Sequence, residues 1–150
     1  MKRNLMIVVV VLGAAGGGAA AWTWARAKAN VIDYTDSVQV AQGRELYQAH
    51  CASCHGADLR GEPDWQTRKS TGELPAPPHD STGHTWHHPE EQLFAIIKHG
   101  MARFAPPGYK TAMPSFVGVL TDSHIRAVLA YIESNWPEEI HQRRTSMDKR

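Results

Sequence analysis

The sequence predicts an all-α chain, helices joined by long loops and preceded by one N-terminal transmembrane or signal helix. Three observations lead there. Ile125, Val128, Leu129 and Ile132 fall on one helical face, and Leu93–Ile97 is framed by helix start and stop signals. An uncharged apolar run opens the chain. No segment alternates apolar and polar residues long enough to argue for a strand.

The opening run sets the topology. Lys2 and Arg3 precede an uncharged stretch from Asn4 to Ala25, apolar from Leu5 onward. About 21 residues at ~1.5 Å each span roughly the hydrocarbon thickness of a bilayer. The positive flank stays cytoplasmic, and Trp22 and Trp24 fall near the outer interface, where amphipathic rings settle. Ala19 and Ala21 also make a passable cleavage site, so a cleaved signal peptide competes with a retained anchor. Residues 1–29 are thus signal or anchor, with 5–25 as the hydrophobic segment. Either reading puts the remainder on the periplasmic side of a bacterial inner membrane, anchored by one helix or soluble after cleavage.

Residues 30–36 read as a tether. The first helix of the folded part, 37–137, starts where Asp36 or Ser37 offers a cap and runs through Val38–Cys51. Gly43 inside it costs about 1 kcal/mol relative to alanine and so demands a packing reason. Residues 56–88 hold four of the nine prolines and four of the twelve glycines without a helical period. So long an irregular excursion is explained if it wraps a cofactor. Pro89 at the first helical position, Glu90 and Glu91 in the first turn, and Gly100 as stop frame the next helix. A second proline-rich loop, 105–109, leads to Met113-Pro114. Thr121 or Asp122 caps the last helix, which Pro137 ends. The segment 138–150, rich in charge and poor in apolar residues, reads as a solvated tail.

Both cysteines lie in Cys51-Ala52-Ser53-Cys54-His55, the attachment signature of haem c. The thiols add to the two porphyrin vinyl groups, and the adjoining histidine is held beneath the iron as proximal ligand. A thioredoxin-like pair would need a βαβ context, and zinc would need further ligands at suitable spacing. A plain disulfide would leave His55 unexplained. A six-coordinate iron needs a second ligand, and methionine suits an electron carrier because its soft thioether favours ferrous iron. Met113, in an irregular stretch between two helices, is the expected distal ligand. Met101 and a histidine are the alternatives.

Gly43…Leu46-Tyr47, Cys51–Gly56, the proline loop, Leu93-x-x-Ile96-Ile97-x-x-Gly100, Met113-Pro114-Ser115-Phe116 and Leu120-Thr121-Asp122 together resemble class I cytochrome c over about residues 37–136. The resemblance implies an all-α class I cytochrome c fold around one covalent haem c, its first and last helices crossing at Gly43 with Tyr131 packed there. It implies Cys51 and Cys54 as thioether positions and His55 and Met113 as axial ligands. It further implies a proline carbonyl, from Pro77 or Pro78, that accepts the ring N–H of the proximal histidine. Leu74–His88 is longer and richer in histidine than the compact family pattern, and resembles proximal loops of bacterial membrane-anchored monohaem cytochromes.

That loop carries His79, His84, His87 and His88, a conceivable second metal site. Otherwise these histidines cap helices, bond propionates or face water. Trp86 and Tyr109 are candidates for contact with a haem propionate, or else ordinary core aromatics.

Charge excludes one class of partner. Of 16 Lys and Arg, Lys2, Arg3, Arg26 and Lys28 precede residue 31, leaving 12 against 15 Asp and Glu and a net −3. That is no footprint of a nucleic-acid binder. A closed haem site predicts a single-electron carrier and not an enzyme, with membrane redox partners such as a quinol-oxidising complex and a terminal oxidase or reductase. Copper handling, sensing and peroxidase-like chemistry are the competing roles.

Overall fold

Asp36 starts the fold by capping its first helix. In the computed structural model, which describes residues 30–147, its carboxylate accepts from the amides of Val38 at 3.0 Å and Gln39 at 3.4 Å. Helix α1 runs Ser37–His50, and the short α2 follows over Ala52–His55. The excursion after α2 contains only a 3-10 turn at Thr85–His87. Helix α3 spans Glu90–His99, a second 3-10 turn covers Met101–Arg103, and α4 spans Asp122–Ser134. There is no strand among the described residues, so the all-α expectation holds.

Helices α1 and α4 make the central contact, and Gly43 is what lets them cross. A Cβ there would lie 1.8 Å from the Ala127 carbonyl oxygen and 2.9 Å from Tyr131 Cβ. This is the packing reason the sequence demanded. The face of α4 expected to be buried is buried: Ile125, Val128, Leu129 and Ile132 are all at most 2% exposed. Two apolar clusters share that helix. Val128 and Ile132 pack with Tyr47, Leu59, Trp136 and Ile140. Ile125 and Leu129 pack with Leu93, Phe116 and Leu120, joining α3 and the segment before α4.

Helix starts match the sequence to within a residue. Thr121 caps α4 by accepting from the His124 amide at 3.2 Å. Pro89 sits at the cap of α3 and not at its first helical position, and Gly100 ends the helix at φ +80°. The compact unit begins at Ile32.

The charge-rich segment 138–150 is not the solvated tail the sequence predicts: Glu138–Met147 form helix α5 with Ile140 and Arg144 buried. The Arg144 guanidinium donates to the carbonyls of His88 at 2.8 Å and Trp86 at 3.3 Å, and pairs with the buried Glu133 at 3.3 Å. A charged segment thus covers the histidine-rich loop.

The expected anchor or signal, residues 1–29, lies outside the described residues. Among the described residues no helix is long and apolar enough to cross a membrane.

Candidate functional site

The attachment motif sits where α1 ends. The Cys51 amide closes α1 on the Tyr47 carbonyl at 2.8 Å, and the chain turns at once into α2. The buried Tyr47 hydroxyl donates to the carbonyls of Gly56 at 3.0 Å and His55 at 3.3 Å. The turn carrying His55 is thereby tied to the core of the α1–α4 crossing. Burial pushes the Tyr47 phenol well above the ordinary tyrosine range, so it remains a donor.

His55 is buried and its Nδ1 lies 2.9 Å from the Pro77 carbonyl. A carbonyl can only accept, so Nδ1 carries the proton and Nε2 keeps its lone pair, the form a metal-bound imidazole requires. Burial holds this imidazole below its usual range, against the opposing effects of the Pro77 bond and Glu62. Between the two candidate prolines the structure places Pro77 at the histidine. The Pro78 carbonyl accepts the Thr85 hydroxyl instead, at 3.3 Å.

The loop reaches His55 by a close fit. Gly61, at φ +68°, lies against the Ala76–Pro78 backbone, where a Cβ would be 2.5 Å from the Ala76 oxygen. The Gly61 amide donates to the His55 carbonyl at 2.8 Å, and the Glu62 amide to the Ala76 carbonyl at 2.9 Å. Glu62 returns a carboxylate oxygen to the Ala76 amide at 2.7 Å. The excursion is irregular in conformation but tightly hydrogen-bonded.

Cys51 is half-buried and Cys54 exposed, and both are free thiols in this structure. Burial, and then Cys54, push the Cys51 thiol up to about 11. A redox-active pair needs the reverse, a thiol of lowered pKa.

Met113 lies in the irregular segment between the second 3-10 turn and α4. Its amide donates to the Thr111 hydroxyl at 3.1 Å. The Ser115 hydroxyl and the Phe116 amide both donate to the Lys98 carbonyl, at 2.9 and 3.1 Å. These bonds dock the Met113-Pro114 segment on the end of α3. Met101 lies within the 3-10 turn after α3.

The remaining candidates separate. Trp86 stacks on His87 at 3.6 Å and packs against the Tyr47 cluster. Among the described residues its indole Nε1 is buried without a hydrogen-bond partner, a donor that a propionate oxygen would satisfy. Tyr109 lines a cleft of about 350 Å³ with Arg68 and Lys110, and the Arg68 guanidinium lies 5.4 Å over its ring. Of the loop histidines, His84 and His88 meet edge-on with ring centroids 5.4 Å apart, while His79 and His87 stand against other rings. His84 stacks on Trp65 at 5.4 Å, His87 on Trp86, and His79 on His55 at 4.1 Å. No group of three or more His, Cys, Asp or Glu among the described residues is arranged to hold a metal ion. A second metal site therefore has no geometric support.

Three residues at the site had escaped assignment from sequence: Tyr47 as clamp of the motif turn, His79 against His55, and Arg144 over the loop. For His79 the signal was its place two residues after Pro77.

A motif turn, a buried histidine with a free Nε2 and an enclosing proline loop define a monohaem c-type cytochrome. Comparison with known proteins agrees. Residues 38–132 match the family described as cytochrome c oxidase, cbb3-type, subunit III, and the chain belongs to this cytochrome c family. It is 32% identical over 113 residues to cytochrome c-555 of Prosthecochloris aestuarii, covering 72% of this chain and 95% of that protein. No solved structure matches the chain significantly. The cofactor is a covalent haem c, and the family is one of electron-transfer proteins.

Proposed function

We propose that this chain is a single-electron carrier of a respiratory chain whose haem is bound through Cys51 and Cys54 and ligated by His55 and Met113. The observation that carries the reading is the 2.9 Å bond from His55 Nδ1 to the Pro77 carbonyl, which leaves Nε2 as the ligating atom. The haem supplies a one-electron change of iron oxidation state. The chain supplies the rest. Tyr47 fixes the turn bearing His55, Pro77 fixes its tautomer, and the bonds to the Lys98 carbonyl fix the segment bearing Met113.

With His55 and Met113 as its two protein ligands, a bound iron would have no open site for substrate, and ligation and burial would set its potential. Trp86 Nε1 is the group we assign to a propionate. The hydrophobic segment 5–25 would hold the domain at the periplasmic face of the inner membrane, raising its effective concentration near a quinol-oxidising complex and a terminal oxidase or reductase.

Carbon monoxide tests the closed site. Reduced wild-type protein should not bind it at low concentration, whereas Met113→Ala should bind it readily. Binding by the wild type equal to that of the variant would refute ligation by Met113.

A further inference from the structure

The Pro77 carbonyl leaves one freedom of His55 unexplained. A single hydrogen bond at Nδ1 sets which nitrogen faces the iron, but only weakly resists rotation of the ring about the axis through that bond. A second restraint lies against the ring. The imidazole of His79 stacks on that of His55 with centroids 4.1 Å apart and planes 25° apart.

His79 is itself held from several directions. Its amide donates to the Leu59 carbonyl at 2.7 Å, and its carbonyl accepts the Trp136 indole N–H at 2.8 Å. With the Thr85 hydroxyl donating to the Pro78 carbonyl, the Thr85 oxygen accepts the His79 Nδ1–H at 2.8 Å. Tyr47 closes the side with an edge-on contact at 6.3 Å. The backbone cannot shift either, because Gly61 and Gly83 press on it. A Cβ on Gly61 would lie 2.6 Å from the Pro77 carbonyl carbon, and one on Gly83 would lie 2.1 Å from the Pro78 oxygen.

We propose that His79 is a positioning residue for the proximal ligand, a fixed flat wall, tethered by Thr85, that sets the plane in which the His55 imidazole meets the iron. This rests on the reading of His55 as axial ligand. Orientation of the axial ring governs how unpaired spin spreads over the porphyrin, so the wall influences the electronic structure of the ferric site.

The test is proton NMR of the ferric holoprotein, where the haem methyl shifts report the ligand plane, with variants His79→Leu, His79→Phe and Thr85→Val. Leucine fills space without a flat face and should redistribute the methyl shifts and displace the reduction potential. Thr85→Val should change the methyl pattern in the same sense but less. Phenylalanine restores a flat ring but not the Thr85 bond, and should displace the pattern no further than Thr85→Val does and clearly less than leucine. A purely structural role would lower the melting temperature of His79→Leu and leave its methyl pattern unchanged, which would overturn the proposal. Phenylalanine displacing the pattern as far as leucine would overturn the stacking argument. Should the leucine variant not fold, an unchanged pattern in Thr85→Val decides against the proposal. Failure of the underlying reading shows separately, as a low-spin spectrum that survives in His55→Ala.

Discussion

Arg144 of α5 and Glu133 of α4 form an ion pair at 3.3 Å with their side chains only 6% and 3% exposed. The same guanidinium lies 5.0 Å over the Trp136 ring and caps the carbonyls of Trp86 and His88. A helix made mostly of polar residues is thereby fastened over the loop that carries the Pro77 carbonyl and His79.

Breaking that pair from one side should be costly. Arg144→Ala strips Glu133 of this buried counter-charge and leaves two loop carbonyls without their donor. We expect a loss of about 3–5 kcal/mol, measured by denaturant unfolding of the holoprotein. Replacing both partners by Arg144→Met and Glu133→Leu should cost clearly less. Equal losses in the single and double variants would mean that the guanidinium contributes by packing alone.

Gly43→Val tests the helix crossing. The added Cβ meets the Ala127 carbonyl and Tyr131 Cβ of α4, atoms that cannot swing aside, so α1 and α4 must separate. A loss of about 1–3 kcal/mol or more is expected from overpacking, read as a lower denaturation midpoint. An unchanged midpoint would place the close approach elsewhere.

Glu62 gives the loop an acid limit. Its carboxylate accepts from Lys69 Nζ at 2.8 Å and the Ala76 amide at 2.7 Å. Those bonds, the lysine's first, hold it below its ordinary value of 4.5. A depressed folded value means the contribution is present above about pH 4.5 and lost as pH falls through the folded value. Both side chains of the ion pair are partly solvent-exposed, 45% for Lys69 and 37% for Glu62, so the effect is small. Glu62→Gln should flatten the acid limb of melting temperature against pH below about pH 4.5. An identical limb in variant and wild type would assign it to other carboxylates.

Much of this was readable in the sequence, for identifiable reasons. Asp36, Thr121 and Gly100 are local signals whose meaning depends on a few neighbouring residues. The face of α4 is periodic, and the Cys51–His55 motif is contiguous. Gly43 was conspicuous because a mid-helix glycine is costly.

What escaped depends on long-range closure. The choice of Pro77 over Pro78 is made by how Gly61 folds back on the loop, 16 residues earlier in the chain. Helix α5 buries Ile140 and a charged Arg144. Two apolar residues, Ile140 and Met147, are too few to make a periodic pattern, and a buried arginine looks like a solvated one until its partners are known. The loop histidines suggest a metal because imidazole binds metals, but His79 stacks on His55, His84 on Trp65 and His87 on its neighbour Trp86, while His88 meets His84 edge-on.

The most direct measurement is the absorption spectrum of the ferric holoprotein beside Met113→Ala. Ligation by His55 and Met113 predicts a weak far-red methionine–iron charge-transfer band in the wild type that is absent from the variant. A high-spin ferric spectrum in the wild type, or the same band in both proteins, would contradict the assignment of Met113 and with it the closed electron-transfer site.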